Sequence, residues 1–207
     1  MKNKILLGMP CMGQIPTETV QCLTQTKGCD IHLEPLSLVY IARERIAEIA
    51  IKNGYEYLLF VDSDMVWTNW QIEQLIKADK DIVTGLAFMR KPPYLPCVHK
   101  VMRLGEMGEK QEQLLDENMW QDGLQEVEGC GLAFCLIKVD ALKDIREKNT
   151  NLFHPYAGYG EDLSFSIKAR RAKYSLWCEP KVQVGHLTTD IVGFGHYLGW
   201  KEAHADD

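Results

Sequence analysis

Residues 57–61, Tyr-Leu-Leu-Phe-Val, are five apolar side chains in a row that run straight into Asp62-Ser63-Asp64. A strand with one face in water alternates apolar and polar residues. An unbroken apolar run needs cover on both faces, as in a sheet with helices above and below. The surrounding sequence supplies that cover. "KILLGM" reads as a first strand stopped by Pro10, "TETVQCLTQTKG" as a helix ending at Gly28, and "CDIHLEPL" as a second strand. Ser37 is placed to cap "LVYIARERIAEIAIKNG", where Ala42, Ile46, Ile49 and Ala50 repeat at helical spacing and Asn53-Gly54 ends the helix. After the run, Thr68 caps "NWQIEQLIKAD" with Gln71 as the reciprocal partner, and "DIVTGLAF" reads as a further strand. Strands separated by helices of this length predict an α/β fold with a mostly parallel central sheet.

Beyond Phe88 the alternation breaks down. "MRKPPYLP" carries three prolines, and residues 104–122 are polar and acid-rich with little periodicity. The stretch 89–122 is read as a variable loop or lid. "LQEVEGCGLAFCLI" predicts two strands around a Gly-Cys-Gly turn, "VDALKDIREK" a helix, and "EDLSFSIKARRAK" a helix that follows the loop "NLFHPYAGYG". "YSLWCEP" and "VQVGH" read as short strands, and "HYLGWKEAHADD" as a docking helix or a frayed tail. With 207 residues and no linker or repeat, the chain is expected to be one domain, 1–207, with halves at 1–88 and 123–207.

Composition narrows the partners. A formal net charge of −6 argues against nonspecific nucleic-acid binding. The seven cysteines are odd in number and form no C-x-x-C pair, so they are expected as dispersed thiols in a reducing compartment. No apolar stretch reaches the ~18 residues of a membrane span. A cytoplasmic location is expected, with at most peripheral membrane contact.

In an open α/β sheet, ligands gather at the carboxyl ends of the strands, and Asp62 and Asp64 stand at such an end. Two residues apart on extended chain, they can face one site. Paired carboxylates repel unless a cation joins them, and hard oxygen ligands favour Mg²⁺ or Mn²⁺ carrying phosphate oxygens. A D-S-D can also be just a turn whose acids bond backbone amides. Glu161 and Asp162 open a helix, where acids are ordinary dipole partners; the functional reading makes one of them a general base. His186 ends a strand, where a lone histidine is more often packed than ligating.

Taken together, "ILLGMP", "ARERIAEIA", "YLLFVDSDM", "VEGCGLAFCLIK", "GEDLSFSIKARRAKYSLWCEP" and "VGH" resemble the GT-A fold glycosyltransferases. The likeness is strongest to the family 2-type members of bacteria and phages. It covers nearly the whole chain except residues 100–122. It implies a hexosyltransferase moving a sugar from a nucleotide-diphosphate donor to an acceptor hydroxyl, with Mn²⁺ or Mg²⁺ as cofactor. By resemblance, Asp64 is the direct metal ligand, Asp62 a ribose or second metal partner, and His186 completes the metal site. Pro10, Arg43, Ser63, Gly129 and Gly131 line the nucleotide-sugar pocket. Asp162 is the base of an inverting reaction, with Glu161 orienting it or the acceptor. Retaining families share the D-x-D, and the acceptor (glycan, lipid or protein) is not named by the resemblance.

Two rivals fit parts of the pattern. "LLFVDSDMV" satisfies the D-x-D-x-[TV] signature of haloacid dehalogenase-type phosphatases, with Asp62 as nucleophile and Asp64 as acid/base. However, two strands precede it and no G-D-x-x-x-D follows. A noncatalytic nucleotide-sugar-binding module is the other rival, opposed by the intact acids. Trp67, Trp120, Tyr156 and Tyr159 can stack on sugars, though packing suits each better.

Overall fold

The computed structural model describes residues 4–35, 38–104, 110–114, 123–188 and 191–204. In chain order the elements are β1 (Ile5–Cys11), α1 (Thr17–Gln25), β2 (Cys29–Pro35), α2 (Val39–Lys52), β3 (Tyr57–Val61), β4 (Met65–Val66), α3 (Asn69–Lys77) and β5 (Ile82–Leu86). Then follow β6 (Val98–Leu104), β7 (Lys110–Leu114), β8 (Gln125–Val127), β9 (Gly129–Cys130), β10 (Phe134–Lys138), α4 (Val139–Lys148) and α5 (Glu161–Arg171). β11 (Leu176–Gln183), β12 (Gly185–Leu187), β13 (Ile191–Val192) and α6 (Phe194–Ala203) complete the chain.

Seven strands form the central sheet in the order β2-β1-β3-β10-β5-β11-β8. Five of them run in one direction; β10 and β8 oppose it. The fold is thus a mixed α/β architecture around a large, mostly parallel sheet. The unbroken run of β3 has the cause its sequence demanded. Leu58 and Phe60 enter one core with Ile46 of α2, Leu142 of α4 and Phe165 of α5. Leu59 and Val61 enter the other with Leu23 of α1 and Leu75 of α3. α2 lies so close on β1 that a β-carbon at Gly8 would collide with Ile46.

Several expectations need correction. Pro10 does not stop the first strand; it lies inside β1, opposite Glu34 of β2. β3 extends alongside β1 only as far as Gly8, so the missing amide of Pro10 falls where no second neighbour pairs. β10 enters the mostly parallel sheet antiparallel between β3 and β5, with Leu136 opposite Leu59. The Gly-Cys-Gly segment is no hairpin turn: β8 pairs with β11, while β9 pairs with β6. The stretch read as loop or lid contains β6 and β7, paired antiparallel. Its residues 105–109 and 115–122, including Trp120, lie outside the described residues, as does the proposed cap Ser37. The Thr68–Gln71 cap is present, with the Thr68 amide donating to Gln71 Oε1 at 2.8 Å.

The C-terminal segment docks as α6, with Tyr197 stacked on Phe88 at 5.7 Å between ring centroids. All seven cysteines are free thiols, five of them buried. Trp67 and Tyr159 are buried, and Tyr156 stacks under Arg171. The two buried rings are packing residues, while Tyr156 is 38% exposed with Arg171 over its ring. Among the described residues no helix is long and apolar enough to cross a membrane.

Candidate active site

The strands that run together end on one edge, and a cleft of about 450 Å³ opens there. Pro10, Arg43, Asp62, Ser63, Asp64, Glu161 and His186 all line it, so seven of the residues singled out from the sequence meet in space. Gly129, Gly131 and Asp162 are not among its lining residues. Gly129 is turned elsewhere, since a β-carbon there would press on Met102 and Leu163. Gly131 and Asp162 stand behind the cleft, beside Cys97: a β-carbon at Gly131 would be 3.2 Å from Cys97 Cβ and 3.8 Å from Asp162 Oδ2.

One half of the site is built by strand pairing. β3 ends at Val61, the chain turns through Asp62–Met65, and β4 pairs with β12 so that His186 lies opposite Met65. The Leu187 amide donates to the Asp64 carbonyl at 2.8 Å, which locks a segment 120 residues away against the D-S-D turn. His186 Nε2 then lies 3.4 Å from Asp64 Oδ2. His186 Nδ1 is 2.7 Å from the Phe88 carbonyl. A carbonyl only accepts, so Nδ1 carries a proton; in the protonated ring Nε2–H faces Asp64, and on losing that proton Nε2 would offer its lone pair to a cation beside the same carboxylate. Burial alone would raise the Asp64 carboxyl, but the His186 bond and charge, with the Arg90 guanidinium, outweigh it and hold Asp64 below the usual carboxylate range. For His186, burial opposes protonation, yet the Asp64 bond and the Phe88 carbonyl raise the imidazole above its ordinary value.

The other half is organised by Arg43, on the core-facing stripe of α2 with Ala42, Ile46, Ala47 and Ala50. Its side chain is only 2% exposed. Nη2 donates to Asp62 Oδ1 at 2.7 Å, Nη1 to the Leu132 carbonyl at 3.3 Å, and Nε lies 3.5 Å from Glu161 Oε1. The guanidinium also sits 5.1 Å from the centre of the Phe60 ring. Arg43 is therefore a charge clamp between the D-S-D turn and the Glu-Asp pair at the wall of the cleft. The same clamp turns Asp62 toward Arg43, so Asp64 and His186 are the pair that converges. Among the described residues, no group of three His, Cys, Asp or Glu side chains is placed to hold an ion unaided.

Asp162 is held differently. The Leu163 amide donates to its Oδ1 at 2.7 Å, which leaves Oδ2 on the Gly131 side. Burial, then the neighbouring Glu161, push its carboxyl up to about 6 against the pull of Leu163 and Arg43. Desolvation, then the nearby Asp162 and Asp62, push the half-buried Cys97 thiol up to about 12, so it is no nucleophile at neutral pH.

Residues that carried no sequence signal hold these groups. Glu44 of α2 accepts the amides of Leu152 and Phe153, each at 3.0 Å. Buried Ser164 accepts the Tyr156 amide at 2.8 Å, and Lys168 donates to Asn151 Oδ1 and the His154 carbonyl. Together they fix the loop that delivers Glu161 and Asp162. A buried-face glutamate, serine and lysine inside helical patterns are the only trace this left in the sequence. Arg90 also reaches the site, with Nη1 3.0 Å from Asp64 Oδ2.

The sequence matches no protein-family model and no curated protein. Solved structures do match, among them A197 from STIV, which is 19% identical, covers 89% of this chain with 86% of its own, and superposes with a TM-score of 0.63. At that identity the likeness establishes shared architecture, and the activity has to be argued from the side chains of the cleft.

Proposed function

We propose that the chain is a metal-dependent glycosyltransferase of GT-A type that moves a sugar from a nucleoside-diphosphate donor to an acceptor hydroxyl. The observation that carries this is the convergence of Asp64 and His186, with the imidazole tautomer set for ligation, in a cleft large enough for such a donor.

The residues present suit a hard divalent ion. Asp64 Oδ2 and His186 Nε2, 3.4 Å apart, are close enough to share one ion after a small inward shift, since adjacent octahedral ligands at about 2.0–2.1 Å stand roughly 2.9 Å apart. Four carboxylates, from Glu34, Asp62, Asp64 and Glu161, line the cleft against two guanidiniums, a formal −2. A diphosphate enters such a cleft only with added positive charge. Asp64 and His186 would hold the ion, whose remaining positions suit phosphate and water. Bound there, Mn²⁺ or Mg²⁺ supplies Lewis-acid neutralisation of the leaving diphosphate.

The chain's own groups do the rest. Asp162 Oδ2 accepts the acceptor's hydroxyl proton. With a carboxyl near 6 it is ionised at neutral pH yet more basic than an ordinary aspartate. Glu161 sustains that basicity, and Arg43 keeps the crowded acids in place. In-line attack from the Asp162 side inverts the anomeric centre. The phosphatase reading needs Asp62 as a free nucleophile, and the buried Arg43 bond at 2.7 Å opposes it.

The test is calorimetric titration of UDP-, GDP-, CMP- and dTDP-sugars with and without Mn²⁺. The expected result is metal-dependent micromolar binding of one donor, reduced at least a hundredfold by Asp64→Ala. Absence of donor binding with metal present overturns the proposal.

A further inference from the structure

Arg90 has no assigned part in the donor site, and its contact with Asp64 serves no evident structural end. Its loop is already closed by the main chain: the Met89 amide donates to Leu95, Tyr94 to Lys91 and Cys97 to Ala87, each at 2.9 Å. The Arg90 side chain is 55% exposed, and exposed ion pairs contribute little to stability. The other cationic groups lining the cleft are committed, Arg43 to Asp62 and the Leu132 carbonyl, His186 through Nδ1 to Phe88. Among the described residues that line the cleft, Arg90 is thus the one exposed guanidinium, resting on the carboxylate oxygen nearest His186 Nε2, while exposed Arg45 pairs with Glu34 from outside the lining.

We propose that Arg90 is an exchangeable cation on Asp64: it neutralises this carboxylate in the empty site, yields it to the divalent ion, and then binds the diphosphate of the donor. This rests on the donor-site reading above. A guanidinium displaced from Asp64 remains within a side chain's swing of whatever that carboxylate ligates, and its planar fork matches phosphate oxygens two at a time.

The proposal makes opposite predictions for two ligands. Arg90→Ala removes a competitor for Asp64, so Mn²⁺ alone, titrated by electron paramagnetic resonance, should bind about two- to fivefold tighter than to wild type. With saturating Mn²⁺, the nucleoside diphosphate preferred from a panel of UDP, GDP, CDP, ADP and dTDP should bind about tenfold more weakly. Its free nucleoside should bind unchanged, and Arg90→Lys should recover part of the diphosphate affinity. Unchanged or weaker Mn²⁺ binding in Arg90→Ala overturns the exchange. Equal losses of nucleoside and diphosphate overturn the phosphate contact. If wild type itself binds neither Mn²⁺ nor any of the diphosphates, the donor-site reading falls, an outcome distinct from a silent variant beside an active wild type.

Discussion

Two carboxylates in one site are driven in opposite directions. Asp64, beside His186 and Arg90, is held below the ordinary aspartate range, while Asp162, behind Gly131, is pushed up to about 6. Both are partly buried, so burial alone does not separate them. Their neighbours do: Asp64 has two cationic partners at its Oδ2, whereas Asp162 stands with Glu161 and Asp62 and shares one distant guanidinium. An anion kept charged suits metal ligation, and an anion made more basic suits proton abstraction. Arg43 lies between the halves, and its removal is the harshest way to break the contrast.

Arg43→Met should cost about 2–4 kcal/mol in urea unfolding, because it leaves the half-buried Asp62 and Glu161 without their buried partner. Asp62→Asn in the same background should restore part of that loss. If Arg43→Met unfolds like wild type, the clamp is not what holds the base half together.

The next largest effect is on Asp162, and its sign follows from the raised carboxyl. The folded chain binds this proton more tightly than the unfolded chain. The group's stabilising contribution is therefore complete below about pH 4 and lost as pH rises through about 6. Asp162→Asn removes that slope. It should leave stability unchanged at low pH and add about 2–3 kcal/mol above pH 6, while lowering turnover at least a hundredfold. Thermal melts across pH 4–8 check the first part. A stability gap that does not change with pH would remove the basis for making Asp162 the base.

His186→Ala probes the other half. Metal affinity should fall about 10- to 100-fold, with little change in the Asp162-linked pH slope. Equilibrium dialysis of Mn²⁺ beside the same melts reads both quantities. A shift in the pH slope would mean that the halves are coupled and the contrast is false.

How far this contrast could be read from sequence depends on the distance over which each feature is written. Local chemistry was legible: the unbroken run of β3, the Thr68–Gln71 cap, and the candidate acids at element ends. The approach of His186 to Asp64 was legible only through resemblance, because β4 pairs two residues with β12 across the chain. The insertion of β10 was not legible, since a strand buried on both faces looks the same in either direction. Arg43 was legible as a residue of the site, but its bonds to Asp62 and the Leu132 carbonyl were not. Its place at the head of an i, i+3, i+4, i+7 row with Ile46, Ala47 and Ala50 marks it as facing inward, while the partners it meets there depend on the packing of α2 over β1. The reach of Arg90 to Asp64 is not legible in the sequence, because a proline-rich loop has no periodicity from which to infer direction.

The smallest expected effect sharpens the contrast from the base side alone. A β-carbon at Gly131 would stand 3.2 Å from Cys97 Cβ, a tight contact that a shift of a few tenths of an ångström relieves. Gly131→Ala should therefore cost no more than about 1 kcal/mol of stability. That methyl would also stand 3.8 Å from Asp162 Oδ2, the atom proposed above as the base. Misplacing a reacting group by about 1 Å can cost on the order of a hundredfold in rate. Transfer to acceptor should drop accordingly, while Mn²⁺ and donor affinities stay at wild-type values. Donor binding that weakens together with transfer would place Gly131 against the nucleotide sugar instead, and would shift the boundary between the two halves to the far side of Asp162.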